Sequence, residues 1–157
     1  MKIQKTRKLI VVLGFAAAAA VASQARASRD LVKFPQRYAS DDAHYATVTR
    51  GGIREEIFAT RAAIEAARKG QPLPSGTVIT MEDYRDGKLF RYIVLEKRAG
   101  WGAEYPPEQR NGEWEFQAFN ADKTVNETEN VGRCFSCHKS QSAQDFVFTL
   151  DRMTKAN

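Results

Sequence analysis

Alternation of apolar and polar residues predicts several β-strands in the second half of the chain. In the run Trp-Glu-Phe-Gln-Ala-Phe at 114–119, the apolar residues 114, 116 and 118 alternate with Glu115, Gln117 and Phe119, which is typical of a strand with one buried face. Two β-rich runs, 77–81 and 89–96, lie on either side of the turn pair Asp86-Gly87. Because such a pair closes tight turns between antiparallel strands, we expect the two runs to form a hairpin.

The region before this hairpin predicts two further strands and one helix. Residues 45–49 fit a short strand that ends at the glycine pair 51–52. The periodicity of residues 53–59 fits both a helix and a strand, and we interpret it as a strand. Residues 60–69 begin with an N-cap residue type, are rich in strong helix formers and precede a glycine, so they predict a helix.

The balance of these elements indicates the fold class. A four-helix bundle requires four long amphipathic segments, whereas this chain offers one clear helix and several strand-like runs. The sequence therefore predicts an α+β domain, in which a mostly antiparallel sheet is flanked by helices.

Residues 1–27 have the pattern of a secretory signal peptide. Four basic residues within the first eight precede an apolar run at 9–22, and the small-residue pattern Ala25-Arg26-Ala27 follows. The apolar run is shorter than the roughly 20 residues that a membrane-spanning helix needs. We expect cleavage after Ala27, with Ala22 and Ala25 as other candidate positions, and a single domain over residues 28–157. An uncleaved N-terminal anchor is the alternative.

The predicted signal peptide also accounts for the positive charge of the chain. The chain has 24 basic and 19 acidic residues, a net charge of +5. Five of the basic residues and none of the acidic ones lie within residues 1–27, so the remainder has 19 of each. A balanced domain gives no support for nucleic-acid binding.

Residues 134–138 read Cys-Phe-Ser-Cys-His, the spacing of a c-type haem attachment site. In such a site each thiol forms a thioether with one haem vinyl group, and the histidine binds the iron. A thioredoxin-like redox pair would need a βαβ context, a zinc site would need more donors than His44 adds, and a disulfide would leave the histidine without a role. The sequence therefore predicts one covalent haem c near the C-terminus, held by Cys134, Cys137 and His138.

The position of this motif excludes the common small electron-transfer cytochromes. Those proteins carry the motif near the N-terminus and an axial methionine well downstream. Here 19 residues follow His138, and Met153 is the one methionine among them. A motif at the C-terminal end of a strand-rich chain indicates a haem supported by a sheet.

The chain resembles the cytochrome P460 family, which includes the sheet-based cytochromes c′-beta. The similarity extends from about Phe34 to Met153. Its strongest parts are residues 76–78, 92–96, 114–119, 134–139 and 145–149. The resemblance implies a small, mostly antiparallel sheet with flanking helices, often in a homodimer, and a five-coordinate haem with His138 on the proximal side.

The resemblance also implies residues on the distal side of the haem. Family members that oxidise hydroxylamine have a lysine cross-linked to the porphyrin, and the matching position here is Met81, which cannot form that bond. Met81 has three interpretations: an axial ligand, a distal side chain that does not bind iron, or an ordinary core residue. The family's distal acid matches Glu96, a candidate general base, and Phe58 and Phe119 are expected to line the same apolar pocket.

Two functions follow from these expectations. The first is a periplasmic monohaem cytochrome that binds a small ligand such as nitric oxide, exchanges single electrons with a periplasmic redox partner, or does both. The alternative is an oxidoreductase that acts on hydroxylamine or a related small nitrogen compound, with Glu96 as the base. The periplasm is expected because bacteria attach c-type haem outside the cytoplasm.

Overall fold

The computed structural model describes residues 32–156, which form one five-stranded antiparallel sheet with short helices. The predicted signal peptide, residues 1–27, lies outside the described residues. The strands lie in the sheet in chain order: β1 (Ala43–Arg50), β2 (Ile53–Ala59), β3 (Thr77–Arg85), β4 (Lys88–Lys97) and β5 (Trp114–Asn120). The predicted α+β class with an antiparallel sheet is confirmed.

The helices of the described region lie between and after the strands. They are α1 (Tyr38–Asp41), α2 (Arg61–Arg68), α3 (Gly132–His138) and α4 (Leu150–Met153), with 3₁₀ helices at Trp101–Glu104, Pro107–Gln109 and Lys139–Gln144. The helix predicted at 60–69 is confirmed as α2, whereas the single turn α1 is too short to produce a periodic pattern. Within residues 32–156, no helix combines the length and apolarity needed to cross a membrane.

Left-handed backbone conformations close the predicted β3–β4 hairpin. Asp86 has a φ of 48° and Gly87 a φ of 76°. Positive φ at both central residues is the type I′ geometry, whose twist matches that of the two strands. The hairpin is confirmed, and its strands extend beyond the β-rich runs of the sequence.

The register of the strands divides their side chains between two faces of the sheet. One row across β2 to β5 consists of Ile57, Met81, Ile93 and Ala118. The adjacent row consists of Phe58, Thr80, Val94 and Gln117. Because neighbouring residues in a strand point to opposite sides, these two rows lie on opposite faces.

Different parts of the chain cover the two faces. On the face of Met81, which we call the helix face, buried residues of α2 and α4 join the larger apolar cluster with β2 to β5. On the face of Phe58, which we call the N-terminal face, Val32, Phe34 and Tyr38 pack in the smaller cluster. The sheet therefore separates two apolar layers.

Strand β5 is buried on both faces, contrary to the single buried face that its alternation predicts. All residues from Trp114 to Phe119 are buried. The Tyr105 hydroxyl donates to Glu115 Oε2 at 2.8 Å, and the Phe34 ring lies 5.3 Å from that of Phe119. The prediction is wrong because residues outside the strand, in the preceding loop and near the N-terminal end of the described chain, cover its second face.

Burial of Glu115 predicts a pH-dependent stability. Burial raises its pKa from the ordinary 4.5 to about 7, so the folded protein keeps a proton that the unfolded chain releases at lower pH. The contribution of Glu115 to stability is therefore greatest below about pH 4.5 and falls as the pH rises to about 7. We expect Glu115→Gln to remove up to about 3 kcal/mol of this decline, measured by urea unfolding across that pH range.

Glu108→Gln is the matched control, because Glu108 is exposed on a neighbouring 3₁₀ helix. It is expected to keep the wild-type dependence on pH. A decline of wild-type size in Glu115→Gln would contradict the assignment to Glu115.

Candidate functional site

Helix α3 presents the two cysteines of the motif together. Cys134 and Cys137 are three residues apart, so their side chains are neighbours on one side of the helix. Both are free thiols; Cys134 is half-buried and Cys137 is exposed. Burial and, to a lesser extent, the Glu129 carboxylate raise the pKa of the Cys134 thiol. The pair is arranged for two bonds to one ligand outside the helix.

His138 is held with one ring nitrogen occupied. Its Nδ1 lies 2.7 Å from the carbonyl oxygen of Phe146. Because a carbonyl can only accept, Nδ1 carries the proton and Nε2 keeps the lone pair that binds a metal. Burial lowers the pKa of the ring below its usual range, which favours the neutral, ligating form.

Two aromatic rings flank the imidazole of His138. The centroid of Phe116, on the helix face of β5, lies 4.8 Å from that of His138, and the centroid of Phe148 lies 5.0 Å from it. Phe148 is 47 % exposed, although it is large and apolar. Two neighbouring thiols, a histidine with a free Nε2 and an exposed aromatic ring are together a fitting donor set for a covalently attached haem.

Met81 lies on the same side of the sheet as the motif. It occupies the middle of β3, in the row of Ile57 and Ile93, and is half-buried. Met81 and Cys134 both pack against the larger apolar cluster. The sheet thus offers an apolar surface to the side of α3 that carries the cysteines.

The structure does not bring Phe58, Phe119 and Glu96 to this surface. Phe58 and Phe119 belong to the smaller cluster on the N-terminal face, where the Phe58 ring lies 5.2 Å from Tyr38. Glu96 follows Leu95 of the helix face by one residue, and its Oε1 accepts a hydrogen bond from Arg98 Nε at 2.5 Å. The sheet therefore separates all three side chains from Met81 and Cys134.

His44 also lies away from the motif. It pairs with Phe58 across β1 and β2, is exposed, and its Nε2 lies 2.7 Å from Glu56 Oε2. This contact agrees with a surface histidine rather than a second iron ligand. Within residues 32–156, no group of three or more His, Cys, Asp and Glu side chains is arranged to hold a metal ion.

A charged cluster that the sequence analysis did not identify lies beyond Met81 on the helix face. Asp83, two residues after Met81, is 2 % exposed, and its Oδ2 accepts hydrogen bonds from Arg91 at 2.9 Å and Arg85 at 3.2 Å. Arg91 also pairs with Glu129. The charges of Glu129 and Arg91 both act on the pKa of the Cys134 thiol, which Glu129 raises and Arg91 lowers. The cluster therefore borders α3. The alternation of β3 was the available signal, because it aligns Asp83 with Met81.

Comparison with known protein families identifies one that matches this chain. The model of the family described as Cytochrome P460 matches residues 35–149, which include the whole sheet and α3. A search of curated proteins gives no match. Because the family match covers most of the chain, including the cysteines and His138, the chain belongs to the cytochrome P460 family, which implies a haem cofactor.

Proposed function

We propose that this protein is a c-type cytochrome that binds a small ligand such as nitric oxide. Cys134 and Cys137 would hold the haem through thioethers, and His138 Nε2 would bind the iron. The observation that carries the proposal is the packing of Met81 and Cys134 against one apolar cluster on the helix face. An apolar surface beside the motif favours a small neutral ligand over a charged substrate.

The chain's own residues have defined tasks in this proposal. When bound, the haem supplies an iron with one coordination position for the ligand. The Phe146 carbonyl keeps the proton on Nδ1 of His138, while Phe116 and Phe148 restrict rotation of the imidazole. Met81, Ile57 and Ile93 provide the apolar side chains that limit water and larger ligands.

Electron transfer is a second candidate, supported by the central position of Met81 on the helix face. A thioether ligand would complete a His/Met pair, which raises the reduction potential and suits a carrier. The two functions differ in whether the sulfur binds iron, so the spin state of the iron distinguishes them.

A Met81→Leu variant tests which of these applies. We expect a high-spin ferric spectrum in both the wild type and the variant, because Met81 fills the pocket without binding iron. Since Leu conserves most of the volume, the affinity for nitric oxide should change by less than about tenfold. Absorption and resonance Raman spectra, followed by a nitric oxide titration, measure both quantities.

Met153→Leu is the control, because Met153 is fully buried in the same cluster but lies on α4. It should leave spin state and affinity unchanged. A low-spin wild-type spectrum that becomes high-spin in Met81→Leu, but not in Met153→Leu, would contradict ligand binding as the function and support electron transfer.

The oxidoreductase alternative depended on Glu96 as a base beside the iron. Glu96 lies on the N-terminal face and is paired with Arg98, so it does not support that role.

We propose the periplasm as the site of action, on the basis of the sequence pattern of residues 1–27. A periplasmic redox partner and a homodimer belong to the same proposal.

A further inference from the structure

Asp145 and Phe146 form an unusual turn just after the 3₁₀ helix Lys139–Gln144. Asp145 has a φ of 50° and Phe146 a φ of 60°, both in the left-handed region. Aspartate visits this region as a single residue, but two consecutive non-glycine residues, one of them phenylalanine, are rare there. Such a conformation persists only where its surroundings impose it, and it is often found at functional sites.

The carboxylate of Asp145 is what ties this turn to the sheet. Its Oδ2 accepts hydrogen bonds from Lys97 Nζ at 2.7 Å and from the backbone N–H of Leu73 at 3.2 Å. Its Oδ1 accepts one from Trp114 Nε1 at 3.3 Å. Lys97 and Trp114 are register partners at the ends of β4 and β5. Two donors at the ends of strands and one from the loop before β3 therefore fix one side chain of the turn.

The turn delivers the carbonyl group of Phe146 to the motif histidine. The Phe146 oxygen accepts the Nδ1 proton of His138 at 2.7 Å. The Phe146 ring packs on Gly112, where a Cβ atom would come within 3.0 Å of it. The position of this carbonyl thus depends on the sheet through Asp145 and on the loop through Gly112.

We propose that Asp145 is a positioning residue for the axial histidine. Through the turn, it holds the Phe146 carbonyl on Nδ1 of His138 and so sets the direction and the basicity of Nε2. An acceptor on Nδ1–H fixes the tautomer of a ligating histidine and makes it a stronger donor. The inference rests on the proposed function, because it requires iron on Nε2.

The test uses the haem-loaded protein and two readouts, the iron–histidine stretching frequency of the ferrous form and the reduction potential. In Asp145→Ala, loss of the anchor loosens the Phe146 carbonyl, so we expect a lower stretching frequency and a higher potential than in the wild type. Asp145→Asn keeps one of the two acceptor oxygens and tolerates the left-handed conformation, so part of the change in both values should be reversed. Asp151→Ala, an exposed aspartate on α4, is the matched control and should change neither.

Wild-type frequency and potential in a less stable Asp145→Ala would overturn the inference, because they would show a structural role alone. If that variant does not load haem, Trp114→Phe decides, since it removes the Nε1 donor together with part of the buried ring but leaves Asp145 and an aromatic side chain in place. A smaller shift in the same direction supports the positioning role, and no shift overturns it. A wild-type protein that carries no haem would instead contradict the proposed function, and it would also overturn this inference.

Discussion

Replacing both Cys134 and Cys137 with alanine is expected to abolish covalent haem attachment. The two thiols are neighbours on α3, and they belong to the only two cysteines in the sequence. No other cysteine can therefore form a thioether with the haem. Wild-type protein expressed with a c-type haem maturation system should keep its haem after acid denaturation and solvent extraction. The double variant should release any haem it carries, so the denatured protein loses its haem absorbance completely.

Ser136→Ala is the control for this experiment, because Ser136 lies between the cysteines on the same helix and is exposed. It should retain the haem as the wild type does. Haem that stays with the denatured double variant would mean attachment through another residue and would contradict the site described here.

Replacing Phe116 with alanine is expected to destabilise the protein by about 3–5 kcal/mol. Phe116 is 2 % exposed on the helix face of β5, and its ring contacts those of Phe135 and His138, both of which lie on α3. The truncation leaves a cavity between the sheet and α3 that backbone elements on both sides prevent from closing. Urea unfolding at neutral pH measures the loss.

Phe90→Ala provides the comparison for this substitution. Phe90 lies on β4 but is 49 % exposed and stacks with Arg85, whose guanidinium lies 3.8 Å from the ring centroid. Loss of an exposed cation–π contact should cost at most about 1 kcal/mol. Equal losses in the two variants would contradict the packing of α3 on the helix face through Phe116.

Most of the secondary structure could be predicted because it depends on neighbours in the sequence. The hairpin at Asp86-Gly87 and the helix α2 each carry a local signal, and the structure has both. The burial of Glu115 could not be predicted in the same way. Its cover comes from Tyr105, in a loop whose path over the edge strand leaves no periodic trace.

The candidate site divides in the same way between local and distant information. The spacing of Cys134, Cys137 and His138 is local, and one helix presents all three. The distal residues depend on strand register, where a shift of one residue moves a side chain to the other face. Phe58 is next to Ile57 of the helix face and yet points away from it. A family resemblance identifies strands without fixing which face each residue takes.

The strain at Asp145 and Phe146 had no signature in the sequence either. Aspartate is compatible with a left-handed turn, but the donors that hold it come from Lys97 and Trp114, far away in the chain. Only the folded sheet shows that both residues donate to Asp145, next to the carbonyl group that contacts His138.

The side of the sheet that faces the haem is tested most directly by the NMR signal of the Met81 methyl group. In protein labelled at methionine methyls, we expect the ferric iron to shift and broaden this signal strongly, and Met81→Leu to identify it by its disappearance. The Glu96 face has no methionine among the described residues, and the signal of Met153, which lies in the cluster of the helix face, is told apart because it remains in Met81→Leu. A Met81 methyl signal that is the same in haem-loaded and haem-free protein would contradict a haem bound against the helix face.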